Sequence, residues 1–288
     1  MKYLIAAILS SFFTLGLAQH KSFEKVPFEL TPGNNIKVKT VLNKKDTLFL
    51  TFDTGAIDFY LTKDAIKKYL NPKGLKLTMA DISDENFRIG NMQWDHQQIY
   101  PIEIAAQETE GMFGWNMFAG KILEINYDEN VMTVHSILPK ISRRYEKFEM
   151  EVLKEHFLIN LEIAQDNQKI RSKFLFDTGF QKGLVLDNHL LTQQKFPTDK
   201  LHILKTTVLH NSNNEEIPLN TVNVQELWIG KYKIQNVSAE LNTQKKPAGY
   251  ETNYIGSEIL KRFNIIIDFR NQMVYMKPNR KYRSQFRV

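Results

Sequence analysis

The triplet Asp-Thr-Gly occurs twice in this 288-residue chain, at residues 53–55 and 177–179, each time directly after an apolar stretch, "FLTF" and "FLF". One copy would carry little weight. A given triplet arises by chance in about a few per cent of chains this long, and Asp and Gly are ordinary turn residues. The constraint comes from the neighbourhoods, which repeat in the same order. Upstream, "IKVKTVLNKKDTLFLTF" and "FLINLEIAQDNQKIRSKFLF" both read as strand, polar turn, strand from their alternation of apolar and polar residues. Downstream, "LTKDAIKKYLNP" and "LDNHLLTQQKFP" both read as a short helix ended by a proline, Pro72 and Pro197. Further on, "FRIGNMQW" aligns with "LWIGKYKI" on Gly90 and Gly230. The run "MFGWNMFAGKILEINYDENVMTV" then aligns without a gap on "YIGSEILKRFNIIIDFRNQMVYM", with Gly114 opposite Gly256. A chain that writes one order of elements twice is expected to fold as two copies of one unit.

Short strands, frequent turns and few helical stretches predict an all-β class with two homologous β-barrel-like lobes, short helices and a cleft between the lobes. The predicted boundaries are residues 1–18 for an N-terminal leader, 19–145 for the first lobe and 146–288 for the second, with the junction near residues 138–148. The copies differ in one place. The triplets lie 124 residues apart but Gly90 and Gly230 lie 140 apart, so the second copy holds about sixteen more residues between them. They fall in residues 201–230, which predict a long β-hairpin with a polar tip at Asn211 to Glu216.

Composition narrows the function classes. The chain has no cysteine, which removes disulfides, thiolate metal sites, a lipidated cysteine and a cysteine nucleophile. Residues 1–18 combine Lys2, an apolar run from Leu4 to Leu17 and small residues Gly16 and Ala18. They read as a cleaved signal peptide and predict an exported protein, periplasmic or extracellular, with no membrane span in the mature chain. Net charge is +6, a mild excess concentrated in "KPNRKYRSQFRV" at residues 277–288, which reads as a solvated tail. Basic and aromatic residues do not interleave as nucleic-acid binding would require. The seven histidines, His20, His96, His135, His156, His189, His202 and His210, show no metal-ligand pairing and read as surface or core residues; only His210 lies near the hairpin tip. No Gly-x-Ser-x-Gly elbow supports a serine hydrolase.

The chemistry follows from doubling the triplet. Asp53 and Asp177 each sit in a turn beyond a strand ended by Phe52 or Phe176, at the edge of an apolar core. Gly55 and Gly179 permit a tight backbone, and Thr54 and Thr178 offer hydroxyls that can bond across to the other loop. If the loops meet about a twofold axis, the two carboxylates come within hydrogen-bond reach. They then share one proton, because like charges that close do not both ionise. One carboxylate can act as general base on a water while its protonated partner donates to a carbonyl oxygen.

These residues resemble a known group, the two-lobed aspartic proteases, and within them the retropepsin-like proteases. The resemblance rests on Phe52-Asp53-Thr54-Gly55-Ala56, on Phe176-Asp177-Thr178-Gly179, and on the apolar-apolar-Gly elements ending in Gly114 and Gly256. It implies hydrolysis of peptide bonds in a peptide or unfolded protein segment, with neither cofactor nor metal. It further implies a pseudo-dimer within one chain, and so a monomer. Asp53 and Asp177 would be catalytic, with Gly114 and Gly256 packing behind their loops. The hairpin tip, His210, Asn211, Ser212, Asn213 and Asn214, would be the flap. Two departures stand out. The family usually has Ala, Ser or Thr after the glycine, which Ala56 satisfies and Phe180 does not, and the first copy lacks the length for a flap. They make a catalytically degenerate peptide- or protein-binding module of the same fold the alternative reading.

Overall fold

The computed structural model describes residues 23–71, 73, 74, 76, 78, 82–243 and 248–286; the leader 1–18 and Pro72 lie outside the described residues. The all-β expectation holds, with 52% strand against 10% helix in sheets that curl into half-barrels. Strand Ile36–Leu42 shows the reason at the level of single residues. Ile36, Val38, Thr40 and Leu42 are buried and the residues between them are not, the period-two pattern of a strand with one face in the core.

The two triplets stand in matching frames. Strand Asp46–Asp53 runs antiparallel to Ile36–Leu42 and parallel to Gly111–Gly114, with Phe52 opposite Phe113. Strand Gln168–Phe176 runs antiparallel to His156–Gln165 and parallel to Asn253–Ile255, with Phe176 opposite Ile255. A further strand lies antiparallel to each parallel partner, Phe59–Thr62 in one half and Leu184–Asp187 in the other. Each frame belongs to its own eight-stranded sheet. The first sheet curls far enough that the arm Met92–Gln97 lies at one edge while its continuation after Gln98, Ile99–Ile102, lies at the other. The second curls until His156–Gln165 also pairs with Glu216–Ile229.

A third, six-stranded sheet takes the final hairpin of each half, with Phe23–Pro27 along one edge and Glu146–Glu149 along the other. At its centre Ile122–Asn126 pairs antiparallel with Phe263–Asp268, and Glu124 faces Ile266. Ile266 is the copy of Glu124 in the gapless repeat, so this element pairs with its own duplicate, as it must beside a local twofold axis. The repeat alone does not reveal that the two hairpins share a sheet.

Local signals explain most element ends. Thr62 caps helix Lys63–Tyr69 by accepting from the Ala65 N–H at 3.2 Å, and Asp187 caps helix Asn188–Gln193 by accepting from Leu190 at 3.0 Å. Pro197 does not end the second helix, contrary to the expectation. That helix stops at Gln194, and Lys195 takes a left-handed φ of 59° that breaks the helical run before the proline is reached. The predicted hairpin is present, with strands Ile203–His210 and Glu216–Ile229 joined through Asn211.

The C-terminal tail differs from its reading as solvated. Arg262, 1% exposed, donates to the carbonyls of Ser284 and Gln285 and lies 4.1 Å from the Phe286 ring. Arg280 pairs with Asp128, and Tyr282 packs edge-on against Phe263. Beneath the tail, Glu258 receives both Lys261 at 2.7 Å and Arg262 at 2.9 Å, while Asn34 of the first half donates to Glu258 at 2.9 Å. Removing one member of a buried ionic group leaves the others uncompensated. Glu258→Leu is therefore expected to lower the unfolding free energy by about 3–5 kcal/mol, read as a fall in the urea midpoint.

Candidate active site

Asp53 and Asp177 lie at the floor of one cleft of about 420 Å³, brought there from strands 124 residues apart. Four hydrogen bonds between fully buried threonines and backbone hold their loops together. The Thr54 N–H donates to the Thr178 hydroxyl oxygen, and the Thr178 N–H to that of Thr54, both at 3.0 Å. The Thr54 hydroxyl then donates to the Phe176 carbonyl at 2.6 Å and the Thr178 hydroxyl to the Phe52 carbonyl at 2.9 Å. Every polar atom of both threonine side chains is used across the axis, which is the role the sequence suggested for them.

The glycines work differently from the expectation. Neither Gly55 nor Gly179 has a positive φ. Each is small because the opposite carboxylate occupies the space a side chain would need. A Cβ on Gly179 would sit 2.1 Å from Asp53 Oδ2, and one on Gly55 would sit 3.0 Å from Asp177 Oδ2. Gly114 and Gly256 do pack behind the loops. A Cβ at Gly114 would meet the Ile57 backbone at 2.1 Å, and one at Gly256 would meet the Lys182 carbonyl at 2.4 Å. Behind them the Trp115 N–H reaches the Ala56 carbonyl at 3.3 Å and the Ser257 N–H reaches the Phe180 carbonyl at 2.8 Å, an equivalent pair in the two halves.

Backbone amides converge on both carboxylates. The Gly55 N–H donates to Asp53 Oδ1 at 2.7 Å; Gly179 and Phe180 both donate to Asp177 Oδ1 at 2.8 Å. These bonds favour the charged forms, yet burial outweighs them. Desolvation pushes the Asp53 carboxyl above its ordinary value. Desolvation, followed by the negative charge of Asp53, pushes Asp177 well above its own. The pair thus holds a proton that neither carboxyl would keep alone in water, and titrates as a unit.

Phe180 does not lie between the carboxylates. Its ring packs beside Tyr254 with centroids 6.5 Å apart, in a cluster with Leu175 and Val185, while its N–H serves Asp177. Bulk after the glycine is accommodated sideways, in the wall of the cleft.

The hairpin tip roofs the cleft from the second half: His210, Asn211 and Ser212 line it together with Ile217 and Leu219. Asn213 and Asn214 complete the turn, bonded to Asn211, without lining the cleft. The tip touches the first half, where the Glu103 and Ile104 N–H groups both donate to the Ser212 carbonyl at 2.9 and 3.1 Å. Ile104, Ala105 and Ala106 therefore form the facing edge, a segment the sequence did not mark because it carries no repeat and no catalytic residue type. Tyr60 and Met112 line the first-half wall, whereas Phe59 is core, stacked on Phe87 at 3.8 Å.

Two polar residues escaped the sequence reading. Asn35, fully buried, donates from Nδ2 to the carbonyls of Thr178 and Gly179 at 3.0 and 2.7 Å. His156, at the equivalent place before Phe157, is half-buried, and its Nδ1 lies 3.4 Å from the Tyr250 hydroxyl. Aligning the residue just before each repeated first strand would have found both. Among the described residues no three His, Asp or Glu side chains converge as a metal site, and no helix is long and apolar enough to cross a membrane. No protein-family model matches the chain, and no curated protein matches it.

The glycine niches are unequal, which gives a test. Gly179→Ala, 2.1 Å from the Asp53 carboxylate, is expected to cost about 1–3 kcal/mol through overpacking. Gly55→Ala, with 3.0 Å of room, is expected to cost measurably less in the same denaturant melts.

Proposed function

We propose that this chain is an aspartic endopeptidase of the retropepsin-like kind, a single-chain two-lobed acid protease, exported by its N-terminal leader. One observation carries the reading. Two carboxyls from equivalent loops, each fitted into the other's glycine niche and both raised by burial, meet under a hairpin in a cleft of about 420 Å³ lined by both halves. Apolar walls from Tyr60, Met112, Phe180 and Val185 suit apolar side chains on either side of the scissile bond.

The resting pair shares one proton between two desolvated carboxyls, and in the microstate that starts the reaction that proton lies on Asp177. Asp53, ionised and supported by the Gly55 N–H, takes a proton from a water between the carboxyls as the water oxygen attacks the peptide carbon. Asp177 gives its proton to the carbonyl oxygen, and a tetrahedral diol forms. As the C–N bond breaks, Asp53 passes its proton to the leaving nitrogen and one diol hydroxyl returns a proton to Asp177. The carboxyls end as they began, and no cofactor enters the balance.

Asp53→Asn and Asp177→Asn are each expected to abolish cleavage of a peptide library at mildly acidic pH while leaving circular dichroism unchanged. Full activity in either variant would overturn the mechanism. Wild-type protein that binds peptides at an intact dyad without cutting them would instead indicate the binding module.

Stability gives a second check, independent of substrate. A carboxyl raised in the folded state favours its protonated form there, so its contribution is present at low pH. That contribution is lost as pH climbs from the ordinary carboxyl value through the raised one. Unfolding midpoints of the wild type are expected to fall over that interval. In Asp177→Asn the fall should be smaller, and the variant at neutral pH should be at least as stable as the wild type.

A further inference from the structure

The two halves build the same patch of wall beside their aspartates and finish it differently. In the first half Thr51, Met112 and Tyr60 stand side by side on three neighbouring strands, Thr51 paired with Met112 and Met112 with Tyr60. In the second half Leu175, Tyr254 and Val185 stand in the same registers. Residues directly opposite on adjacent strands share one face of a sheet, so each trio makes a single surface turned toward the cleft. The residue three beyond each aspartate, Ala56 or Phe180, completes the set.

The first-half surface is left open. Thr51, Ala56, Tyr60 and Met112 all line the cleft, and Tyr60 and Met112 are only half-buried, because the single methyl of Ala56 is too short to cover them. Beyond Tyr60, the chain that continues from strand Ile99–Ile102 edges the cleft with Ile104, Ala105 and Ala106, two of them again single methyls. The second-half surface is covered. Leu175, Val185 and Tyr254 are only 1%, 6% and 8% exposed, and Phe180 packs against all three. Its ring lies 6.5 Å from that of Tyr254 and folds back on Gly256, where an added Cβ would meet Phe180 Cδ1 at 2.5 Å. Leu175, unlike its counterpart Thr51, does not line the cleft.

We propose that the cleft holds two unequal subsites at symmetry-related places beside the dyad: an open one on Ala56, Tyr60 and Met112 that takes a bulky apolar side chain, and one filled by Phe180 that admits only a small side chain. In the first half the apolar contact is left for the substrate to make, and a large side chain gains by burying its surface against Met112 and the Tyr60 ring. In the second half the protein's own ring already makes that contact. A bulky substrate side chain there has to displace a ring packed on three buried neighbours, and a close-packed cluster does not accept extra volume without strain. Phe180 is thus a specificity-determining residue. It narrows what the cleft accepts without disturbing the dyad, since its own N–H still donates to Asp177 at 2.8 Å. The substrate class is an extended peptide with a large apolar residue at one of the two symmetry-related positions and a small residue at the other.

The inference rests on the reading of the cleft as a peptide-cutting site, and its test separates the two. Peptide libraries randomised on both sides of one scissile bond are cut by the wild type, Phe180→Ala, Phe180→Leu and Ala56→Leu, and the same libraries are tested for binding to each in an Asp53→Asn background. The wild type should accept large apolar residues at one position and restrict its counterpart to Gly, Ala or Ser. Phe180→Ala should raise kcat/KM for Phe or Leu over Ala at the restricted position by about tenfold or more, and Phe180→Leu by less. Neither should alter the preference at the open position, whereas Ala56→Leu should lower the preference for large residues there by about tenfold. Circular dichroism checks the fold of each variant, and if Phe180→Ala does not fold, Phe180→Leu and Ala56→Leu carry the test. Equal tolerance at both positions in the wild type, or a restricted position that folded Phe180 variants leave unchanged, would overturn the unequal subsites and leave the protease standing. Absence of cleavage, with the unequal preference still read in binding, would count against the protease and leave the subsites standing. Libraries neither cut nor bound would overturn both.

Discussion

Everything in the cleft depends on the exchange of hydrogen bonds between Thr54 and Thr178. Both threonines are fully buried, so their amides and hydroxyls have no water to turn to. An unmet buried polar group costs about 1–3 kcal/mol, more than a typical bond contributes when made. The penalty makes the arrangement cooperative: separating the loops exposes four donors and their acceptors together. With the loops locked, the carboxylates have nowhere to go except the niches left by the opposite glycines. Proximity of the two acids follows from satisfying neutral polar groups beneath them, and the electrostatic cost of bringing them together is carried by that frame.

The frame is nearly symmetric, and function-bearing differences are laid over it. Across the axis, Ala56 is replaced by Phe180, Met112 by Tyr254 and Asn35 by His156, so walls and supports differ while the floor is the same. The largest difference is the hairpin arm Glu216–Ile229, fourteen residues long where the first half has Glu85–Ile89. Its tip is held by two first-half amides on one carbonyl. One hairpin therefore roofs a cleft that belongs to both halves, and the first half contributes only the receiving edge.

Legibility in the sequence followed the range of the interactions. Strands ended by Phe52 and Phe176, the short helices after each triplet and the hairpin around Asn211 were readable because hydrophobic period and turn residues act over a few residues. The end of helix Asn188–Gln193 was misread at Pro197, since the left-handed turn at Lys195 is a backbone choice with no strong residue signature. The docking of Arg262 against the C-terminal tail was misread because a cluster of positive charge looks solvated until a buried acceptor such as Glu258 is brought to it. Asn35 was passed over for the same reason: its partners are carbonyls, which every residue has.

By itself, the sequence determined that the chain is a duplication, that it is built of short strands, and that each copy ends a strand in Asp-Thr-Gly. These properties are local or are visible by comparing the chain with itself. Only the tertiary structure decided that the two final hairpins merge into one sheet, that each glycine is small for the sake of the other half's carboxylate, and that Asn35 reaches across the axis to the other half's loop. Contacts between copies depend on how the copies are docked, and docking is set by the sum of many buried contacts rather than by any stretch that can be read alone. "FLTFDTGAID" and "FLFDTGFQKG" are each half of an arrangement whose geometry exists only where they meet.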